Sequence, residues 1–289
     1  MRILVLRGGA LGDLIVTLPA LALLRLRWPG ARIELAGNPV AGQLAIEARL
    51  VDVLHSQHER RWAALHAPVP LPPDFHAWLG AFDLVVSYWP DPDGDLARVF
   101  PVREGQRYLA GPAHPTHGPA AAAYCEPLAA LGLQPSALTF RLRPPMNRRP
   151  VVALHPGSGS PRKNWPLDRW EQLARWLRDE RRRELLVISG EAEPPNLLPG
   201  MGRALRSLPL PTLLDELASC RLFIGHDSGV AHLATSAGTP SLLLFGPTDP
   251  AIWAPPAPSM RVIRRGPDLA GISLAEVQAQ VDALLADRS

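Results

Sequence analysis

Residues 221–255, RLFIGHDSGVAHLATSAGTPSLLLFGPTDPAIWAP, constrain the fold of this chain more than any other stretch. Leu222-Phe223-Ile224, closed by Gly225, has the length and composition of a strand buried on both faces. Val230 to Ala237 reads as a helix of small residues stopped by Gly238 and Pro240, and Leu242 to Phe245 is the next strand. A strand, a helix and a strand in so short a span make an α/β crossover. The polar turn His226-Asp227-Ser228-Gly229 then lies at a strand's carboxyl end, where open α/β sheets bind ligands. Free N–H groups at a helix start attract phosphate. Asp227 suits a sugar hydroxyl, and His232 could reach the same cleft. Each residue also has a plain reading: Asp227 or Ser228 as the helix cap, Gly229 for tight helix–strand packing, His232 as a satisfied core histidine. Gly246-Pro247-Thr248-Asp249-Pro250 closes the following strand and reads as a second wall of one cleft.

Length and composition bound what such units build. The 289 residues leave room for about two ordinary domains, and 47% hydrophobic against 20% charged residues can bury sizeable cores. No apolar run is long enough to span a bilayer. The chain enters a strand pattern, Arg2 to Arg7, where a signal peptide would stand. Cys125 and Cys220 lie far apart, giving neither a disulfide framework nor metal-ligand spacing. A reduced, cytoplasmic protein is the expectation. The net charge of +3 is spread over scattered arginines, which argues against a nucleic-acid partner. Peripheral contact with an anionic inner membrane is compatible with it. The cluster Arg181-Arg182-Arg183 falls at a helix end, where cations are favoured anyway. Of the 30 cationic residues one is a lysine, Lys163. The exception suggests a position that wants a compact ammonium, although chance also leaves single lysines.

Taken in order, Arg2 to Arg7 is a first strand that runs into Gly8-Gly9-Ala10-Leu11-Gly12-Asp13. The spacing departs from the dinucleotide fingerprint, so NAD binding is not indicated. Gly9 and Gly12 allow a close backbone approach to a ligand, with Asp13 presented at the turn or, in the plain reading, capping a helix over 14–28. Pro19 falls in a first turn of that helix or at a kink. Strands are expected at 33–36, 51–54 and 82–87, and helices at 40–50, 74–80 and 120–131. Segments 67–73 and 90–94 read as loops, the latter with solvated acids at Asp91, Asp93 and Asp95. Segment 111–119, with His114 and His117, lines an acceptor site or simply connects. The Pro- and Arg-rich residues 142–150 read as a linker between domains 1–145 and 146–289.

Beyond the linker, a strand over 151–154 ends in HPGSGSPRKNWP (155–166). Glycine-given backbone N–H groups around Gly159, the hydroxyls of Ser158 and Ser160, and Lys163 make a phosphate-binding inventory without a Walker sequence. A capped loop with a solvated lysine is the plain alternative. An amphipathic helix follows over 167–178. A strand over 184–188 ends at Glu191 and Glu193, either of which could hold the hydroxyls of a ribose or face solvent. A helix over 212–219 leads into the opening stretch. A strand over 260–263 and a helix over 273–287, capped by Ser273 with Glu276, end the chain.

Three motifs now stand in order: R-x4-G-D-x5-P over Arg7 to Pro19, HPGSGS…KNWP over 155–166, and DSGVAHLA…GTP…FGPTDP…W over 227–253. Together they closely resemble the ADP-heptose:lipopolysaccharide heptosyltransferase family, glycosyltransferase family 9. The likeness covers nearly the whole chain and thins between about Val40 and Pro150. It implies a GT-B fold, two Rossmann-like α/β domains facing across a cleft, with residues 1–145 on the acceptor side and 146–289 on the donor side. It implies Asp13 as general base, with Lys163 at the donor diphosphate and Glu193 at the adenosine ribose. It implies further donor contacts from Ser158, Gly159, Ser160, Asp227, Ser228, Gly229 and His232. No metal or other cofactor is expected, the ADP-sugar being a co-substrate. Two departures stand out: the chain is short for the family, and the paired glycines usual before the ribose acid read Ser189-Gly190 here.

The expected function is therefore an inverting, metal-independent glycosyltransferase. It would move a sugar, heptose by family default, from an ADP-sugar to a hydroxyl of a cell-surface glycan or lipopolysaccharide core. Asp13 would take the acceptor proton opposite the departing diphosphate. Lys163, the Ser158–Ser160 loop and helix N-termini would stabilise the leaving charge, and domain closure would assemble the parts. Two other readings fit the same residues: a nucleotide-sugar epimerase or hydrolase on this fold, and a protein that binds a nucleotide sugar without turning it over.

Overall fold

The computed structural model describes residues 1–67, 69–191, 193–194 and 197–286. The chain divides into two compact units, Met1–Phe140 and Arg141–Ser289. In the first unit, β1 (Arg2–Arg7), β2 (Arg32–Gly37), β3 (Val53–Ser56), β4 (Leu84–Ser87) and β5 (Arg107–Ala110) form one sheet in the order β3-β2-β1-β4-β5. In the second, β6 (Arg149–Leu154), β7 (Glu184–Ser189), β8 (Arg203–Arg206), β9 (Cys220–His226), β10 (Ser241–Phe245) and β11 (Met260–Arg264) follow the order β11-β10-β9-β6-β7-β8. All neighbouring pairs are parallel. In both sheets the chain winds outward, returns to the centre and winds out the other way, which is the doubly wound arrangement. The reversal opens a crevice outside the carboxyl ends of β1 and β4 in one unit, and of β6 and β9 in the other. The motifs singled out above follow β1, β6 and β9.

Parallel strands need long crossovers, and helices supply them. The first unit carries α1 (Leu11–Arg27), α2 (Gln43–Glu47), α3 (Pro73–Gly80), α4 (Asp95–Val99) and α5 (Ala120–Cys125). The second carries α6 (Leu167–Asp179), α7 (Leu210–Ala218), α8 (Gly229–Ser236), α9 (Pro250–Trp253) and α10 (Leu274–Ala286). The central strands are apolar without alternation, and Ile3 to Leu6 of β1 and Val152 to Leu154 of β6 are fully buried. Aromatic rings fill the rest. Trp62 packs edge-on against Phe75 and Trp89 in the first unit, and Trp165 packs edge-on against Trp170 of α6 in the second. No described helix is long and apolar enough to cross a membrane.

Where the elements differ from the sequence reading, the cause is local. α1 begins at Leu11, three residues before the expected start, because the Asp13 carboxylate accepts the Ala10 N–H (2.8 Å) and closes the first turn. Pro19 lies inside the helix, past its first turn. Residues 40–50 hold only the short α2. The Asn38 side-chain oxygen takes the Val40 and Ala41 amides in a turn before it, and Arg49 adopts φ 56° after it. β3 starts two residues later than expected, and β5 and β8 were absent from the sequence reading. Both are short edge strands, RYLA and RALR, whose partial exposure dilutes the apolar signal. Residues 120–131 split into α5 and a 3-10 turn, Glu126–Leu131, because Pro127 has no amide for the α-helical ladder. Asp91 is not simply solvated: its carboxylate accepts the Leu96 and Ala97 amides at the start of α4. The expected linker is tied down, with the Leu142 amide bonded to the Ser236 carbonyl and Arg148 to Gly238. The expected end of the last helix, Asp287, lies outside the described residues.

Candidate functional site

In the first unit the site grows from the end of β1. Arg7 is 5% exposed, so its charge must be met inside the protein. Its Nη2 lies 3.0 Å from Asp13 Oδ1 and 2.8 Å from the Tyr124 hydroxyl, and its Nε donates to Thr17 Oγ1 at 2.9 Å. The guanidinium also sits over the Tyr124 ring, 4.4 Å from its centroid. Asp13 is thus held twice, by Arg7 on one oxygen and by the Ala10 amide on the other, while its side chain stays 29% exposed. Gly9 takes φ 100°, and a Cβ there would strike the Asp13 carboxylate, so glycine serves both the turn and the close approach. Gly12 is helical, in the first turn of α1. A cavity of about 630 Å³ borders Gly9 and is lined by Gln57, His58, Arg60, Trp62 and Trp89 among others.

In the second unit three sequence-distant groups meet. Lys163 Nζ lies 2.7 Å from Asp227 Oδ2, and Thr248 Oγ1 donates to the same oxygen at 2.8 Å. Lys163 is therefore paired rather than solvated, with 30% of its side chain exposed against 10% for Asp227. Beside the end of β6, His155 is buried, with Nε2 3.7 Å from Glu193 Oε1 and Nδ1 3.4 Å from Ser228 Oγ. His155 holds the Glu193 carboxyl below the usual range, and the Gly190 N–H on its other oxygen helps. Glu191 faces outward, exposed, whereas Glu193 is turned in. Gly157 makes room for it, since a Cβ there would collide with the Glu193 side chain.

The loop from β6 to α6 is pinned from below. His226, read from sequence as part of the polar turn, is the last residue of β9 and fully buried. Its Nε2 accepts the Trp165 amide at 2.9 Å, so its Nδ1 carries the proton toward the Gly157 carbonyl at 3.1 Å. Burial drives its pKa down to about 3, and the ring is neutral. Ser158 Oγ lies 2.7 Å from both the Ser160 carbonyl and Asn164 Oδ1 and accepts the Ser160 amide, which fixes the loop's curl. Gly159 is exposed with open space around it. Ser228 is the N-cap of α8, its Oγ accepting the Ala231 amide at 3.3 Å, and Gly229 is the first helical residue. His232 is buried one turn on. Among the described residues, no group of three or more His, Cys, Asp or Glu is placed to hold a metal ion.

Sequence reasoning put Thr248 in a wall of the cleft but gave no role there to Arg7, Tyr124 or His155. Thr17 carried a usable signal, since it stands one helical turn after Asp13 and shares its face. Tyr124 carried none, being 117 positions from Arg7.

A family model for glycosyltransferase family 9 (heptosyltransferase) matches residues 120–270, just over half of the chain. The lipopolysaccharide heptosyltransferase 2 of Escherichia coli (strain K12) is 30% identical over 131 residues, 41% of this chain and 37% of that protein. The alignment thus spans well under half of the curated relative. Among solved structures, a family 9 glycosyl transferase from Veillonella parvula superposes with a TM-score of 0.78 at 20% identity, covering 99% of this chain and 97% of that one. The E. coli heptosyltransferase WaaC with ADP does so with a TM-score of 0.75 at 18% identity, covering 98% and 100%. At such identities the structural likeness speaks for the fold.

Proposed function

The chain belongs to glycosyltransferase family 9 and carries a GT-B fold of two Rossmann-like units; on that premise we propose that it transfers a sugar from an ADP-sugar to a hydroxyl of a glycan acceptor. The observation that carries this reading is the gathering of Lys163, Asp227, Thr248, Glu193, His155 and Ser228 at the carboxyl ends of β6, β7, β9 and β10. It is a switch-point site with one ammonium, a glycine- and serine-rich loop and a carboxylate for ribose hydroxyls. Residues 146–289 form the donor side in this reading. Lys163 and the Ser158–Ser160 loop meet the diphosphate. Glu193 meets the ribose, and Asp227, Ser228, Gly229 and His232 meet the sugar and its phosphates. The charge that develops on the leaving ADP is met by these groups, so the reaction needs no metal.

Residues 1–145 form the acceptor side. Asp13, aimed by Arg7, takes the proton of the attacking hydroxyl, and the cavity beside Gly9 receives the rest of the acceptor. A single displacement at the anomeric carbon inverts it. Heptose as the sugar and a lipopolysaccharide core as the acceptor follow the curated relative, which is a lipopolysaccharide heptosyltransferase. The reaction is placed in the cytoplasm, beside the inner membrane that would present such an acceptor.

Titration calorimetry with ADP in a chelator, followed by a transfer assay with ADP-heptose, tests this. Wild-type protein should bind ADP without metal. Asp13→Asn should bind it equally and lose transfer by about 10²–10⁴-fold. Near-normal turnover in that variant removes Asp13 from the base role, and free heptose released without acceptor turns the reading to a hydrolase.

A further inference from the structure

We propose a second anion site in the unit Arg141–Ser289, at the opposite edge of its sheet from the donor candidates, that takes a phosphoryl group. A cavity of about 390 Å³ opens where β6, β7 and β8 begin, and four arginines border it: Arg149, Arg178, Arg183 and Arg203. The donor candidates follow the other ends of β6 and β7. A six-residue strand separates the two places by roughly 17 Å at about 3.3 Å per residue. Arginine identity alone says little in a chain with one lysine, so the argument rests on partners. Arg149 and Arg203 share the Glu216 carboxylate, at 2.8 and 2.7 Å, and Arg178 pairs with Asp179. Arg183 makes no ion pair or side-chain hydrogen bond among the described residues, and its Nε is buried without an acceptor.

The way α6 ends places Arg183. Arg182 adopts φ 53°, the left-handed conformation in which many helices end, and the Arg183 amide returns to the Leu177 carbonyl at 3.0 Å. That turn ends α6 and delivers Arg183 to the start of β7. Gly202 brings β8 against β7 on the other side, where a Cβ would collide with the Leu185 carbonyl. A buried guanidinium N–H without an acceptor is costly, and a bound acceptor removes the cost. Glu184 also lines the cavity, while Glu216 and Asp179 partner its other arginines. A carboxylate ligand offers one charge and two oxygens in a single plane. A phosphoryl group offers more charge and several oxygens, enough to bond Arg183 and the outer N–H groups of Arg149 or Arg203 together. It could arrive as free phosphate or as the headgroup of an acidic phospholipid.

The inference is independent of glycosyl transfer, and its test is arranged to stay so. Inorganic phosphate is titrated calorimetrically into Lys163→Ala, which removes the lysine proposed for the donor site, and into Lys163→Ala/Arg183→Gln. Flotation with phosphatidylglycerol vesicles, against phosphatidylcholine vesicles, runs in parallel on the same proteins. Phosphate affinity should fall about tenfold or more on losing Arg183. Binding to phosphatidylglycerol alone, abolished by Arg183→Gln, identifies the lipid headgroup as the source. If neither phosphate affinity nor flotation depends on Arg183, the proposal is overturned. Arg203→Gln, at a half-exposed rim position, gives the same readout should Arg183→Gln fail to fold, and far-UV circular dichroism monitors both.

Discussion

The Asp13 carboxylate is held in place because the Arg7 guanidinium bonds Asp13 and Tyr124 through Nη2 and Thr17 through Nε. A lysine has one ammonium and no planar fork, so it cannot hold three partners in that geometry. Arg7→Lys should therefore lower turnover about 10–100-fold while leaving ADP affinity unchanged. Steady-state kinetics beside calorimetry reads the split, and a change confined to ADP affinity would contradict the assignment. Lys163 is the opposite case. Its ammonium is held 2.7 Å from Asp227, which keeps it in place and leaves a face for a phosphate. Lys163→Ala should weaken ADP-sugar binding by about 10–100-fold, the worth of a charge-assisted hydrogen bond. Equal affinity in the variant would place the diphosphate elsewhere.

At the scale of elements, the loop from β6 to α6 is shaped by what lies beneath it. His226 at the end of β9 accepts the Trp165 amide and faces the Gly157 carbonyl, and Trp170 of α6 packs edge-on against its ring. Only the neutral imidazole fits this arrangement. Its folded pKa of about 3 lies below the ordinary 6.5, so the unfolded chain takes up a proton first as pH falls. Stability is full above pH 6.5 and is lost progressively toward pH 3. The contribution of His226 is at most on the order of 5 kcal/mol. In His226→Gln the protein should be less stable at neutral pH, but its urea midpoint should fall less steeply between pH 6.5 and about 4. An unchanged slope would assign the acid sensitivity in that range to other groups; Glu193, whose carboxyl is held below the usual range, acts only further down. The element scale also explains what local sequence could not give. The edge strands β5 and β8 carry arginine at their exposed ends, and the short α2 is bounded by Asn38 and by Arg49 in the left-handed region.

For the molecule as a whole, each unit holds its own sheet and its own buried core, and every donor candidate lies in the second. Residues 141–289 expressed alone should fold, bind ADP and transfer nothing. A folded fragment that fails to bind ADP would require residues of the first unit in the nucleotide site. The sequence by itself determined the class of this fold. Apolar runs with no alternation, each closed by a polar or glycine turn and followed by a helical pattern, admit little besides a parallel sheet covered on both faces. It also determined where ligand-facing turns fall, because strand ends are visible in local residue order. The tertiary structure alone decided which polar residues meet. Arg7 finds Tyr124, Lys163 finds Asp227 and Thr248, and His155 finds Glu193 and Ser228 across separations that no periodicity records. It also made His226 a buried support rather than a ligand-facing group. The reason is physical: strand and helix are set by contacts a few residues apart, whereas a site is set by strand order, and strand order is fixed only when the whole sheet closes its core.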